Sequence, residues 1–279
     1  MIIITGQTAT GKTKLALDLA KKYNGELINF DSRQIYKYLD IITGKDIPKT
    51  KIWLYDIVTP DQYFSSFDFV KLATPIIEDI KKRNKTPILI GGTYLYLKHL
   101  LYGIDENNSP PDFKLREKLN SKSVDYLQKK LMWLNKKVFE SLNHSDQLNP
   151  RRLIRKIEIA STTKKTTYIR SDLKRTDLPK MFIGLKYKDK NKLREVITKR
   201  VEKRLENGAV EEVKKLLKMG YTENDPGMKT IGYQQIIKYL NKEFSKEKAI
   251  DDWINKEVQY AKRQLTFMKK DKNICWREI

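Results

Sequence analysis

The chain has one cysteine, Cys275, and two histidines, His99 and His144, in 279 residues. A single thiol forms no intramolecular disulfide, and no Cys/His cluster has the spacing of a zinc site. No apolar run approaches the ~18 residues that span a bilayer. The sequence starts directly on an apolar strand pattern, which predicts no signal or transit peptide. The expectation is a cytoplasmic protein with no membrane contact. Acidic side chains are scarce as well. Against 57 Lys and Arg stand 35 Asp and Glu, for a net charge of +22. The imbalance is local. Residues 1–110 carry 15 basic and 12 acidic side chains, whereas residues 151–200 carry 17 and 5. A general bias toward lysine would act on the whole chain, and the first 110 residues escape it. The basic window therefore predicts a polyanion-binding surface.

The stretch GQTATGKT, residues 6–13, fits G-x-x-x-x-G-K-[ST]. MIIIT before it reads as a short buried strand, and KTKLALDLAKKY after it has apolar residues at helical spacing. A strand, a glycine turn and a helix start make an anion cradle. Backbone N–H groups converge, the helix dipole favours negative charge, and Lys12 adds a full positive charge. The cradle comprises Gly6, Gln7, Thr8, Ala9, Thr10, Gly11, Lys12 and Thr13. The Thr13 hydroxyl is the candidate ligand for Mg²⁺ or a phosphate oxygen.

Apolar runs at 1–5, 26–30, 52–58 and 87–90 predict parallel strands, with helices at 12–23, 66–83 and 93–102 between them. DENNSPPD, 105–112, ends this layer. Residues 113–170 then read as polar helix. KMFIGLKY reads as a strand again, followed by helices at 190–206, 209–219, 230–241 and 246–270. The expected class is α/β: a P-loop NTPase-like parallel sheet core flanked by helices, with a helical insertion domain. The core covers 1–112 and 179–279, and the basic insertion covers 113–178.

A nucleotide hydrolase usually places an acid after a second apolar strand, to hold Mg²⁺. Here TPILI ends in GGT, with no acid. ELINF does end in one, Asp31, within FDSRQIY. C-terminal strand ends of a parallel sheet share one edge, so Asp31 should face the phosphate loop. Capping of the next helix is its alternative role.

GQTATGKT, FDSRQIYKYLDIITGKD and ILIGGTYLYLKHLLYG, followed by NPRRLIRKIEIA, KRVEKRLENGAVEEV, TIGYQQIIKYL and YAKRQLTFMKK, resemble in order the tRNA dimethylallyltransferases. These are also called tRNA isopentenyltransferases, the IPP transferase family, and the chain is similar to their short bacterial form. The resemblance implies transfer of a dimethylallyl group from dimethylallyl diphosphate to N6 of adenosine 37, beside the anticodon of tRNA. It places Lys12, Thr13, Asp31 and Arg263 in the catalytic set, with Asp31 as the base and Mg²⁺ as the cofactor. The phosphate loop would hold the diphosphate. Asp31, Ser32, Arg33, Gln34, Thr93 and Arg116 match positions that meet tRNA. So does NPRRLIR, with Arg151, Arg152, Leu153, Ile154 and Arg155. On a helix Arg151 and Arg155 share a face. The expected partner is the tRNA anticodon stem-loop, and the expected state is a monomer.

Two positions depart from the pattern. The family commonly has Pro where Gln7 stands, which should change loop stiffness more than chemistry. It also has Thr-Arg where this chain has Glu257 and Val258, which leaves Arg263 or Lys256 to replace that arginine. Three other functions compete. They are an adenylate isopentenyltransferase acting on free nucleotide, a small-molecule kinase, and a catalytically weakened tRNA binder.

Overall fold

A continuous apolar run at the amino end predicts a strand buried on both faces, and it becomes one. Ile2–Gly6 forms β1, with Ile3 and Ile4 fully buried. The computed structural model describes residues 1–45, 50–103, 111–162 and 179–279. It comprises two units, Met1–Tyr102 with Ser171–Ile279, and Gly103–Arg170.

Along the first unit follow α1 (Lys12–Lys22), β2 (Gly25–Asn29), β3 (Ile52–Trp53), α2 (Ser66–Lys82), β4 (Thr86–Ile90) and α3 (Tyr94–Tyr102). The second unit holds α4 (Phe113–Asn120), α5 (Val124–Glu140), α6 (His144–Gln147) and α7 (Pro150–Ser161). The first unit resumes with β5 (Met181–Lys186), α8 (Lys190–Glu206), α9 (Ala209–Lys218), α10 (Tyr233–Leu240), α11 (Lys246–Met268) and β6 (Cys275–Glu278). The strands pair in the order β3-β2-β4-β1-β5-β6, all parallel. Parallel pairing brings the ends of β1, β2, β4 and β5 to one edge, where ligands of such sheets bind. Ile2, Ile4, Leu27, Ile88 and Ile90 pack with Ala16 and Ala20 of α1. A second core joins Ile35, Leu39 and Ile42 to α8–α11 around Trp253 and Tyr233.

Two strand expectations need correction. The run 52–58 is a strand only over Ile52–Trp53. Leu54 and Asp56 take φ of 67° and 56°, which ends extended pairing. Val58 then makes an isolated bridge with Tyr36. CWRE, which carried no strand expectation, pairs with β5 as an edge strand. Its four residues are mostly exposed and offer no apolar run to read.

In the second unit Asn149 starts α7 by accepting hydrogen bonds from Arg151 N and Arg152 N, with Pro150 in the first turn. Leu153, Ile154 and Ile157 pack with Leu119, Leu127 and Leu131. Most of DENNSPPD and the part of the basic window from 163 to 178 lie outside the described residues. Among the described residues no helix is long and apolar enough to cross a membrane.

Candidate active site

The phosphate loop turns where its glycines permit it. Gly6 has φ 136°, and a Cβ there would sit 2.1 Å from Leu185 O, so β5 passes too close for any side chain. Lys12 folds back over the loop and donates to Gly6 O (3.2 Å) and Gln7 O (2.7 Å). Gln7 is buried, and its Oε1 accepts from Tyr187 N at 3.0 Å. Tyr187 OH in turn donates to Ala9 O at 2.5 Å. The departure at Gln7 therefore ties the loop to the end of β5.

Asp31 follows β2 at the same sheet edge. Its Oδ1 accepts from Arg33 N at 2.9 Å, and its own N–H donates to Asn29 Oδ1 at 2.9 Å. Its Oδ2 has no hydrogen bond among the described residues. A Cβ on Gly92 would stand 3.3 Å from that oxygen, so glycine there keeps the approach open. Gln264 of α11 joins the two halves of the edge. It accepts from Thr8 N (3.2 Å) and donates to Gly92 O (2.9 Å).

These elements line a cleft of about 960 Å³. Its cations include Lys12, Arg200, Lys203, Arg204 and Arg263, and its carboxylates are Asp31, Asp40 and Glu257. Arg200 donates to Thr8 Oγ1 at 2.8 Å. Arg204 is buried and pairs with Glu257 at 2.8 Å, while its Nε has no partner among the described residues.

Burial lowers the pKa of Lys12, Arg200 lowers it further, and Asp31 opposes both, leaving it at about 8. The sign of the consequence follows. The free protein loses this charge as pH rises through about 8, and an anion binds the charged form. Taken relative to Lys12→Arg at the same pH, which cancels the titration of diphosphate itself, affinity for inorganic diphosphate should hold between about pH 6 and 7 and fall between about pH 7 and 9.5. Lys12→Arg keeps its charge and should lose this dependence; identical profiles for the two proteins, measured by calorimetry, would exclude it. Folding has the opposite dependence, because the folded pKa lies below the unfolded one. Burying this cation costs stability at neutral pH, and the cost fades as pH rises above about 8.

The cleft gathers Thr8, Ala9, Thr10, Gly11, Lys12, Thr13, Asp31, Arg33, Gln34 and Arg263 of the sequence candidates. Ser32 and Thr93 are joined beside Asp31 instead, through Ser32 N to Thr93 Oγ1 (2.9 Å). Arg33 donates to Pro226 O, and Gln34 to Thr43 O and Gly44 O. In the second unit Arg116 and Arg155 converge on buried Glu158, while Arg152 pairs with Asp146. Burial alone would raise the Glu158 carboxyl, but the two guanidinium groups outweigh it and hold it below its ordinary range. Arg151 is exposed, whereas Leu153 and Ile154 face the unit's core.

Of the two cations left to replace the expected arginine, Arg263 lines the cleft, whereas Lys256 is exposed and does not, and Val258 lies in the core of α8–α11. Cations from α8 line the cleft as well. Arg200, Lys203 and Arg204 repeat at i, i+3 and i+4, a one-face signal present in KRVEKRLENG. That signal was readable but sat among many lysines.

A family model described as IPP transferase matches residues 34–271. The chain belongs to the IPP transferase family. Curated relatives named tRNA dimethylallyltransferase include those of Acetivibrio thermocellus and Clostridioides difficile. Each is 39% identical, over 99% and 100% of this chain and 90% and 91% of their own. Among solved structures, a tRNA isopentenylpyrophosphate transferase of Bacillus halodurans aligns with TM-score 0.71 and 33% identity. The alignment covers 99% of this chain and 89% of that one. A eukaryotic dimethylallyltransferase acting on tRNA aligns with TM-score 0.77 and 26% identity, over 100% of this chain and 73% of that one. The parallel sheet and its flanking helices are thus those of an IPP transferase, on a P-loop NTPase-like core. In this member Glu257 stands against Arg204 inside the cleft. Glu257→Gln should strip a buried guanidinium of its counter-charge, at a cost on the order of 3 kcal/mol. Urea unfolding would read it, and an unchanged midpoint would refute the pairing. Bound diphosphate should restore part of the loss.

Proposed function

We propose that the protein transfers a dimethylallyl group from dimethylallyl diphosphate to N6 of adenosine 37 in tRNA. The observation that carries this reading is the open Oδ2 of Asp31 sharing a cleft with the cation-lined phosphate loop. The bond from the allylic carbon to the diphosphate oxygen breaks, and a bond from N6 to that carbon forms. Inorganic diphosphate leaves with the electron pair, and the N6 proton passes to Asp31. An exocyclic amine is a weak nucleophile, because its lone pair is delocalised into the ring. A carboxylate that first accepts its hydrogen bond and then its proton answers that weakness. Lys12, Arg200 and the loop amides offset the charge on the departing diphosphate.

Thr13 stands in the first turn of α1 and lines the cleft with its hydroxyl as the candidate protein ligand. That donor set fits Mg²⁺ held by one protein hydroxyl, substrate phosphates and water. When bound, Mg²⁺ would supply further neutralisation of the diphosphate. The target adenine must leave its stack to reach Asp31, at a cost of a few kcal/mol. The arginines of α7 and the other cations of the second unit would hold the tRNA through its phosphates. The setting is the cytoplasm, where tRNA is modified, and the active species is a monomer.

Purified protein with Mg²⁺ and labelled dimethylallyl diphosphate should label tRNAs with A-rich anticodon loops. Label entering AMP but not tRNA would establish the free-nucleotide reading instead. ATP hydrolysis without prenyl transfer would establish the kinase-like one, and tRNA binding without transfer the weakened binder.

A further inference from the structure

Helix α5 carries a surface that the proposed chemistry does not use. Trp133 is 84% exposed, and Tyr126 and Met132 on the same helix are exposed as well. Residues 126 and 133 are two helical turns apart, so their side chains leave from one face. Lys129 and Lys130 lie between them at helical neighbour spacing. The opposite face, Leu127 and Leu131, is buried against Leu153, Ile154 and Ile157 of α7. Two ammonium groups already sit over the Tyr126 ring, Lys122 at 5.6 Å and Lys130 at 6.0 Å from its centroid. Asn135 breaks the helix at φ −159° and ψ 87°, and its Oδ1 accepts from Val138 N to start the next turn. Lys136 and Lys137 follow that break. Between 122 and 140 there are five lysines, one aspartate and one glutamate, with Lys129 and Lys136 in exposed ion pairs to Asp125 and Glu140 that a phosphate can displace.

A bare indole on a helix face is an unrealised contact, because the ring gains most when covered. Its surroundings decide what covers it. A purely apolar partner would have to strip water from the lysines without compensation. Duplex RNA hides its base faces and would use the lysines alone. Unpaired RNA offers both complements, flat π-faces for the rings and phosphates for the ammonium groups.

We propose that this stripe binds an unpaired segment of the RNA substrate, with an unstacked base on Trp133 and flanking phosphates on Lys129, Lys136 and Lys137. The assignment rests on the tRNA reading above and adds to it a stacking contact in the second unit. The test is binding of fluorescein-labelled anticodon stem-loop RNA to the full chain, against a fully paired RNA of equal length. Trp133→Ala should weaken stem-loop binding about tenfold. Trp133→Phe, which keeps a ring, should stay within about twofold of the parent protein, and neither change should alter the melting temperature of an exposed site. The paired RNA should bind all three proteins alike. The salt slope should be unchanged in Trp133→Ala and shallower in Lys129→Ala with Lys137→Ala. Equal stem-loop affinity for all Trp133 variants would overturn the proposal. So would equal weakening for paired RNA. Loss of a self-associated form in Trp133→Ala, seen by sedimentation, would make a second copy the occupant and overturn it too. Transfer by the unaltered protein, assayed in parallel, reports on the proposed function whatever Trp133 does.

Discussion

Asp31→Asn should lower the rate of transfer at saturating substrates about 10³-fold, the middle of the range for a positioned general base. The affinity for tRNA should stay within about twofold, since one neutralised carboxylate removes no phosphate contact. Asparagine is the informative replacement. Its Oδ1 can still accept from Arg33 N, so the turn after β2 survives. Only the open oxygen, the one next to Gly92, loses its basicity. Single-turnover rates with preformed complex separate this from weak binding. If rate and tRNA affinity fall together, Asp31 serves the turn and not the proton.

Arg200→Gln should lower the saturating rate by about 10²-fold, as expected when one preorganised donor to a developing anion is removed. The same change has a second, independent consequence. Arg200 is one of the two causes that depress Lys12. Without it, the pH at which diphosphate affinity declines should move above the value near 8. A structural role for Arg200 would lower the rate without moving that pH. An unchanged rate together with an unmoved pH break would remove Arg200 from the site.

The phosphate loop was legible because its spacing encodes a backbone shape: glycine where φ is positive, lysine at the helix start. Asp31 was legible from sheet topology, since ends of parallel strands meet. β1, β2, β4 and β5 follow from short apolar stretches, unbroken in β1 and reduced to Leu27 and Ile28 in β2. β6 does not, because an edge strand of four mostly exposed residues carries no such run. The truncated β3 was hidden for a different reason: positive φ at Leu54 and Asp56 is a tertiary outcome, with Asp56 drawn to buried Lys45 at 2.5 Å. The spacing of Arg200 and Arg204 was legible, but nothing in it set them apart from similar cations. Only packing shows that one reaches Thr8 and the other meets Glu257. The arginines of NPRRLIR were legible as a basic helix, but their internal partners, Asp146 and Glu158, were not.

Prenylation of an adenosine in tRNA by Asp31 and the phosphate loop leaves a product that cells retain. Nucleoside analysis of tRNA from cells lacking the gene, and from the same cells carrying either the parent gene or Asp31→Asn, tests it most directly. N6-dimethylallyladenosine should be present in tRNA with the parent gene and lost with no gene or with Asp31→Asn. Undiminished N6-dimethylallyladenosine in tRNA of cells lacking the gene, or full restoration by Asp31→Asn, would contradict it.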